Sequence, residues 1–229
     1  MSTCNIVLSI PSPYKHLFVY IYYTTTGIIY ATDNIWIGDD NMCGRYTIFT
    51  DEDYDEITKI LSEVNKRSSE TVKTGEIYPT NLAPVLLNDT DGIRPEPLIW
   101  GFPSFRSKSV IINARAETAP EKPMFKSCLF ERRCVVPSTG FYEWDAEKNK
   151  YLFRLADNPV LYMAGLWNEY KGERRYVILT TAPNPSIINV HNRMPLVLRA
   201  DQVDSWITDD SACGDILQAV PPMLDCVQV

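Results

Sequence analysis

Apolar residues recur along the chain with two different periods, and each period predicts a different kind of element. Four of them share the spacing of one helix face: Ile57, Ile60, Leu61 and Val64. Thr50, with Asp53 three residues later, has the side-chain pattern of a helix N-terminus. The pattern therefore predicts an amphipathic helix that follows Thr50 and buries one face.

Most of the chain after Met42 alternates short apolar runs with Pro, Gly and Asn, a pattern that is typical of β-strands. The predicted strands are Arg45–Phe49, 83–88, 97–100, 109–113, 134–137, 151–155, 160–164 and 176–181. Further helices are predicted at Met124–Arg132, Asp201–Ile207 and 215–220. Many strands with a few unevenly placed helices predict an α+β fold, in which a single domain has a mixed, curled or barrel-like β-sheet and a few peripheral helices.

The first 41 residues differ from the rest, because they are rich in Tyr, Thr and Ile and almost uncharged between Lys15 and Ala31. Threonines interrupt this stretch, and it lacks both the basic start and the cleavage site of a secretory signal. We therefore predict neither a membrane span nor a targeting signal here. Met42 directly precedes Cys43, and we expect residues 1–41 to be an N-terminal extension outside the mature protein.

Charge and cysteine usage narrow the classes of function. The 229 residues carry a net charge of −7, which gives no general attraction to nucleic acid or to anionic membranes but does not exclude a local basic groove. Six scattered cysteines without a C-x-x-C pair, and two histidines in all, give little support to a zinc site or a disulfide framework. We expect a cytoplasmic protein with reduced thiols, no metal and no other cofactor.

Two residues that can transfer protons lie in distinctive surroundings. His191, in V190-H-N-R-M-P, follows a Pro- and Asn-rich loop, and Glu143 is flanked by aromatic residues in G140-F-Y-E-W. A carboxyl group in an aromatic, partly dry setting is suited to proton transfer at neutral pH. Each residue also has a simpler interpretation, since a single histidine is more often structural and Glu143 fits the outward face of a strand.

Polar residues alternate at the end of one predicted strand, in I111-I-N-A-R-A-E-T. With period two, Asn113, Arg115 and Glu117 share one face of a sheet and could present an amide, a guanidinium and a carboxylate to one pocket. A solvent-facing strand end has the same pattern.

Six short motifs occur together in one order: M42-C-G-R-Y, P79-T-N-L-A-P, W100-G-F-P, I112-N-A-R-A-E-T, C134-V-V-P-S-T-G-F-Y-E-W and H191-N-R-M-P. In these motifs, their order and their spacing, the chain resembles the SOS response-associated peptidase (SRAP) family, whose members crosslink to abasic sites in single-stranded DNA. The resemblance covers nearly all of the chain from Met42 onward, and it implies that residues 42–229 form the catalytic domain.

The resemblance implies a chemistry that depends on a free N-terminal cysteine. Cys43 matches the residue that follows the initiator methionine in the family. The resemblance implies that the amine and the thiol of this cysteine react with the sugar aldehyde to form a thiazolidine ring. The motifs imply acid/base catalysis by Glu143, stabilisation or protonation of intermediates by His191, and positioning of the N-terminal residue by Asn113. They also imply autocatalytic removal of residues that precede Cys43.

The same motifs imply residues for DNA contact and a place of action. Arg45, Arg115 and Arg193 match phosphate contacts, while Trp100, Phe102 and Pro103 resemble a wedge beside kinked single strands, although these aromatics also suit a core. The expected partner is single-stranded DNA with abasic sites in the cytoplasm, where the bound protein is nucleoid-associated. Two alternatives are a thiol-dependent peptidase or amidase with Cys43 and His191 as nucleophile and base, and a non-catalytic single-strand binding module.

Overall fold

The computed structural model describes the backbone of residues 6–12, 15–24, 27–31, 44–51, 54–105 and 109–229, with side chains described from Gly44 onward. Contacts divide the chain into two units, Met1–Asp40 and Asn41–Val229. In the first unit, β1 (Ile6–Ser12), β2 (Lys15–Thr24) and β3 (Gly27–Ala31) form an antiparallel meander. The Tyr, Thr and Ile content of this stretch accounts for the strands, because these residues favour a pleated backbone.

The second unit contains the remaining elements. Its strands are β4 (Tyr46–Ile48), β5 (Gly75–Ile77), β6 (Leu82–Asp89), β7 (Gly92–Trp100), β8 (Phe102–Pro103), β9 (Val110–Ile111), β10 (Asn113–Arg115), β11 (Arg133–Ser138), β12 (Gly140–Trp144), β13 (Lys150–Arg154), β14 (Leu161–Tyr170), β15 (Glu173–Thr181), β16 (Met194–Pro195), β17 (Val197–Leu198) and β18 (Asp225–Gln228). Its helices are α1 (Asp55–Arg67), α2 (Pro123–Glu131), α3 (Val203–Thr208) and α4 (Asp210–Gln218), with a 3-10 turn at Ala200–Gln202.

Five strands close into a mixed barrel in the order β15-β7-β6-β11-β14 and back to β15. The contact between β7 and β15 is parallel and the other four are antiparallel. Strands β10 and β16 extend β15 at its C-terminal end. The predicted α+β fold with a mixed, barrel-like sheet and a few helices is confirmed.

A second sheet, in the order β18-β13-β12-β4-β5, packs against the barrel. Its inner face contributes Phe141 and Phe153, whose stacked rings lie 5.2 Å apart and are fully buried. The hydroxyl groups of Tyr46 on β4 and Tyr176 on β15 are 2.6 Å apart in this interface. Because β12 belongs to this sheet, the packing fixes the side chain of Glu143 relative to the barrel.

The predicted first helix is present, and its four apolar residues are the four that α1 buries. It begins at Asp55 and not directly after Thr50, so the expected cap at Thr50 is wrong. The amide of Tyr54 donates to the carbonyl oxygen of Asp51 at 3.0 Å, and this turn separates Thr50 from the helix. Tyr54 occupies the N-cap position without a side-chain cap.

Candidate functional site

One group of predicted site residues lies where β10 meets the C-terminal end of β15. In the parallel register Asn113 is opposite Ile178 and Arg115 is opposite Thr180. The alanines between the polar residues, Ala114 and Ala116, are buried. Arg115 is exposed, and Asn113 is partly exposed. The alternation predicted from the sequence is therefore present, and it carries on through Glu117 into the turn that follows.

Arg193 reaches the same strand end from the other side. Its Nη1 and Nη2 donate to the two carboxylate oxygens of Glu117 at 2.5 and 2.8 Å, and Nη2 also donates to the carbonyl oxygen of Thr180 at 2.7 Å. Partial burial by itself raises the pKa of Glu117. The Arg193 hydrogen bonds, with the charges of Arg193 and Arg115, outweigh burial and hold that pKa below its usual value.

His191 lies two residues before Arg193, at the end of the loop that follows β15. Its own amide donates to the carbonyl oxygen of Ile187 at 2.9 Å, which closes a helical turn. The amide of Arg193 donates to the imidazole Nδ1 at 3.2 Å. An Nδ1 that accepts a hydrogen bond leaves the proton of a neutral imidazole on Nε2. The ring is thereby prepared to donate from Nε2.

Glu143 lies on β12 and is only 2% exposed. The simpler sequence interpretation, an outward-facing carboxylate, is therefore wrong. Successive strand residues alternate faces, so Glu143 shares the inner face with Phe141, whereas Tyr142 and Trp144 lie on the other face. Burial of a carboxyl group destabilises the folded state and is therefore rare, and buried carboxyl groups concentrate at functional sites.

The chain that follows Cys43 runs beside β12. Cys43 itself and Met42 lie outside the described residues. The carbonyl oxygen of Arg45 accepts from the amide of Tyr142 at 2.9 Å, and Tyr46 is opposite Phe141 in the antiparallel register. The polypeptide therefore enters β4 at the end of β12 that carries Glu143.

Arg45 lies on the outer face of this second sheet, in a cluster of charged and aromatic side chains. Its guanidinium lies 4.4 Å from the ring of Tyr78 and 5.3 Å from that of Trp144, and Nη1 donates to Glu76 at 3.1 Å. Lys150 donates to the other oxygen of Glu76 at 3.1 Å. The sequence patterns did not single out Glu76 or Lys150, since neither belongs to a recurring spacing.

Glu76 is held in its charged form by these partners. The hydrogen bond from the Tyr78 hydroxyl, 2.6 Å long, is the largest cause of a lowered Glu76 pKa. Burial opposes this shift, and Lys150 and Arg45 reinforce it. The cluster thus pairs two cations with one carboxylate beside the entry of the chain into β4.

The aromatic residues that were predicted to contact DNA occupy different environments. Trp100 and Phe102 have no exposed surface. Trp100 packs on Tyr46 and donates to the carbonyl oxygen of Ile112 at 3.1 Å, and Phe102 packs on Tyr170. Neither ring can stack on a base in this structure, so the core interpretation holds for both. Pro103 is partly exposed, and Phe105 in the same segment is 81% exposed. Sequence patterns missed Phe105, although basic residues follow it directly.

The described residues contain no group of three or more His, Cys, Asp or Glu that could hold a metal ion. Cys128 and Cys134 are buried and unpaired, as expected for small apolar residues. Burial raises the pKa of the Cys134 thiol well above its usual value, so this residue is a poor nucleophile. Across the part of the chain that the structure covers, no helix is long and apolar enough to cross a membrane.

The chain is similar to proteins whose names describe work on abasic sites. Abasic site processing protein YoqW of Bacillus subtilis is 33% identical over 199 residues, which are 78% of this chain and 86% of that protein. Abasic site processing protein YedK of Escherichia coli is 28% identical over 183 residues, which are 74% of this chain and 81% of that protein.

Solved structures show the same fold. A protein from Bacteroides thetaiotaomicron and one from Bordetella bronchiseptica each superpose with a TM-score of 0.66 at 22% identity. Each covers 82% of this chain, and the matches span 92% and 99% of those two chains. The sequence profile described as SOS response associated peptidase (SRAP) matches residues 42–229. The chain therefore belongs to the SRAP family.

Proposed function

We propose that this protein captures abasic sites in single-stranded DNA by forming a thiazolidine with Cys43 as its N-terminal residue. The observation that carries the proposal is Glu143, a carboxyl group that is 2% exposed on the strand along which the chain from Cys43 enters. The names of the relatives, which describe abasic site processing, support the same class of substrate.

The reaction joins one amine, one aldehyde and one thiol. The free amine of Cys43 adds to the aldehyde of the ring-opened sugar, and loss of one water gives an imine. The thiol sulfur then adds to the imine carbon, and its proton goes to the nitrogen. A free α-amine is partly neutral at physiological pH and can make the first bond, whereas an internal cysteine has its nitrogen in an amide.

The described side chains match the proton transfers that this sequence needs. Glu143 would open the sugar ring and protonate the departing oxygen as a general acid/base. His191, with Nδ1 occupied by the Arg193 amide, would donate from Nε2 to an oxygen that develops negative charge. Asn113, on β10, would hold the N-terminal residue by hydrogen bonding.

Contacts with the strand would come from exposed groups at the edges of this site. Arg115 is exposed and suits a phosphate contact, and Arg45 could exchange part of its Glu76 pairing for a phosphate. The wedge role proposed for Trp100, Phe102 and Pro103 would pass to Pro103 and Phe105, since these have exposed surface. Local cations of this kind would let a protein with a net charge of −7 bind DNA.

The same constellation would release the N-terminal cysteine. The Cys43 thiol would add to the carbonyl carbon of Met42, and the peptide bond would break to leave a thioester and a free Cys43 amine. Water would then hydrolyse the thioester and regenerate the thiol. Glu143 and His191 would move the protons in both steps. We expect the protein to be cytoplasmic and to associate with the nucleoid when it is bound to DNA.

The decisive experiment compares three proteins: residues 43–229 with a free Cys43 amine, the same protein with one uncleavable residue before Cys43, and the Cys43→Ala variant. Each is mixed with a single-stranded oligonucleotide that contains one abasic site, then heated and separated under denaturing conditions. We expect a heat-stable adduct only with the first protein, at the summed mass less one water.

Other results would select other functions. Peptidase activity that survives the blocked amine would indicate a thiol-dependent peptidase or amidase. Intact salt-dependent DNA binding with no adduct from any of the three would indicate a non-catalytic binding module. Either result would overturn thiazolidine formation as the function.

A further inference from the structure

We infer that Asn184 is a positioning residue, which holds the turn that ends at His191 against the connector 219–224. This connector joins α4 to β18, and through Asn184 it becomes a structural part of the proposed site. For its effect on the reaction the inference rests on the proposed function, in which His191 moves protons. Its effect on the His191 ring can be measured without DNA.

The side-chain amide of Asn184 is buried, and each of its hydrogen-bonding positions is filled. The residue is 3% exposed. Its Nδ2 donates to the carbonyl oxygens of Pro221 and Pro222, at 3.0 and 2.9 Å, and its Oδ1 accepts from the amide and the hydroxyl of Ser186. An amide group offers two donor hydrogens and an oxygen with two lone pairs, so these four contacts use it completely.

Among the residues that commonly cap a turn, only asparagine fits both sets of contacts. A serine or threonine hydroxyl has one donor hydrogen and an ionised carboxylate has none, so neither can donate to two carbonyl oxygens. A buried carbonyl group that loses its donor destabilises the folded state. The amide at position 184 therefore joins the turn to the connector in a way that the other cap residues do not reproduce.

The main chain of Asn184 begins the turn that leads to His191. Its carbonyl oxygen accepts from the amides of Ile187 and Ile188, each at 3.2 Å. The carbonyl oxygen of Ile187 in turn accepts from the amides of Val190 and His191, at 2.8 and 2.9 Å. Because these hydrogen bonds follow one another along the backbone, the position of His191 depends on the position in which Asn184 is held.

The other end of the same loop also meets Asn184. The loop comprises residues 182–193, between the end of β15 and the start of β16. The amide of Asn184 donates to Sδ of Met194 at 3.3 Å, and Met194 is fully buried and pairs with Thr181. Asn184 thus lies at the closed base of the loop, where a displacement would move the turn that carries His191.

Pro221 and Pro222 suit the role of a fixed anchor. A proline ring locks its own φ, and it also restricts the preceding residue to an extended conformation. The carbonyl groups of two successive prolines are therefore restrained in direction before they meet Asn184. The contact with Pro221 is buried, so the loss of its donor is costly.

The test uses the protein that begins at Cys43 and three variants. Asn184→Ala removes all four contacts of the amide. Asn184→Asp keeps the shape and the oxygen that caps the turn, but a carboxylate has no donor for the connector. Asn189→Ala is the control, because it removes an exposed amide from the same turn. Thermal denaturation of each variant sets a temperature at which all of them are folded.

We expect the Asn184→Ala rate constant for adduct formation, at saturating abasic oligonucleotide, to fall about tenfold or more, because a small displacement of a catalytic group slows a reaction strongly. Asn184→Asp should fall by a similar factor, and Asn189→Ala should match the parent. A parental rate constant for Asn184→Asp would show that the cap alone matters and would overturn the role of the connector. A parental rate constant for Asn184→Ala would overturn the positioning role altogether.

Pro222→Gly tests the anchor from its other side, because glycine frees the backbone of residue 222 and relaxes residue 221. We expect this variant to lower the rate constant. The double variant with Asn184→Ala should be no slower than Asn184→Ala alone, because both changes break the same contacts. Losses that multiply in the double variant would show two independent effects and would contradict the coupling.

A spectroscopic measurement is independent of any reaction with DNA. Of the two histidines in the sequence, His16 precedes Cys43, so the protein that begins at Cys43 contains His191 alone and its ring Cε1–H gives one assigned signal. We expect a narrow signal for the parent and for Asn189→Ala. Asn184→Ala and Pro222→Gly should give a shifted signal that is broadened by exchange, since a released turn moves between positions.

The two kinds of failure can be told apart. Identical ring signals in the parent and in Asn184→Ala would refute the positioning role. A parent that forms no adduct would refute the proposed function, and the ring signal would still decide whether Asn184 positions His191.

Discussion

Glu143 combines near-complete burial with the ability to exchange a proton. Replacement by glutamine keeps the volume and one acceptor oxygen, turns the other oxygen into an NH2 donor and removes the titratable group. For Glu143→Gln in the protein that begins at Cys43, we expect the rate constant for adduct formation to fall by roughly 100-fold or more, within the range of a lost general acid/base. Single-turnover kinetics with an abasic oligonucleotide would measure it.

Glu147→Gln is the control for that experiment. Glu147 lies in the turn after β12 and is exposed, and its backbone amide donates to the carboxylate of Asp145 at 2.9 Å. We expect the control to react at the parental rate. A Glu143→Gln protein that reacts equally fast would show that the buried carboxyl group has a structural role and takes no part in proton transfer.

The contacts of Glu76 predict that the free energy of unfolding depends on pH. Its pKa in the folded protein is below the ordinary value of 4.5, so its contacts with Tyr78, Lys150 and Arg45 contribute stability that is fully present above pH 4.5. That contribution is lost as the pH falls through the lower folded pKa. We expect Glu76→Gln to lower the free energy of unfolding at pH 7, and the deficit to shrink below pH 4.5.

Urea denaturation at several pH values would measure the Glu76 deficit. Glu70→Gln is a suitable comparison, because Glu70 is exposed in the loop before β5. A deficit that stays constant between pH 7 and pH 3 would contradict the assignment to the charged carboxylate.

At the scale of single elements, Gly101 lets β7 turn sharply into β8. Its φ is +108°, and a Cβ at this position would lie 2.8 Å from Cβ of Val110. Its amide donates to the carbonyl oxygen of Tyr176 at 2.7 Å, so the residue cannot move away without loss of a barrel hydrogen bond. We expect Gly101→Ala to reduce the free energy of unfolding by about 3 kcal/mol.

The loss at Gly101 has two causes, the positive φ and the contact with Val110. Gly172, in the turn between β14 and β15, has only the first. Its φ is +84°, but a Cβ would meet no atom within 4 Å. We expect Gly172→Ala to cost only the backbone strain of about 1 kcal/mol. Equal losses in the two variants, measured by chemical denaturation, would show that the clash with Val110 is relieved by local movement.

The elements that sequence patterns predicted best are those with a long regular period. The apolar positions of α1 match its buried face residue for residue, and β6 coincides with the predicted run 83–88. The runs 160–164 and 176–181 cover only the first part of β14 and the last part of β15, because both strands continue into the polar residues of the turn between them. Strands of two residues, such as β16 and β17, are too short to show a period. Their positions depend on the neighbours with which they pair.

Site residues were harder to place, because burial depends on how the sheets pack. G140-F-Y-E-W alternates in a way that fits either an exposed or a buried Glu143, and the second sheet against the barrel selects burial. Trp100 and Phe105 both belong to one aromatic segment. The first points into the core and the second into solvent, and only the turn at Gly101 and the β8–β9 pairing decide between them.

At the scale of the whole molecule, Arg133 joins the helices to the barrel. Its side chain is 3% exposed, donates to the carbonyl oxygen of Leu129 at 2.8 Å and to that of Trp206, and pairs with Asp210 at 2.8 Å. Loss of the guanidinium would leave buried carbonyl groups without donors. We expect Arg133→Gln to lower the free energy of unfolding by about 3 kcal/mol.

Arg132→Gln is the neighbouring comparison. Arg132 is 28% exposed and pairs with exposed Glu131 at 3.1 Å, an arrangement worth less than about 1 kcal/mol. We expect both variants, below their unfolding temperatures, to form the abasic-site adduct at the parental rate, because neither residue belongs to the proposed site. Similar stability of the two variants in thermal denaturation would contradict the structural role of Arg133.

The closed barrel also sets the order of events during synthesis of the chain. Cys43 leaves the ribosome early, whereas Asn113 on β10 pairs with β15 and His191 lies in the loop that follows β15. Strand β15 itself joins the ring through the pairs Ile99–Arg175 and Trp100–Tyr176. Contacts between segments so distant in sequence form late in folding. Under the proposed function, a nascent or partly unfolded molecule would carry Cys43 without the groups that direct its reaction, and we expect capture of a lesion to require a closed ring.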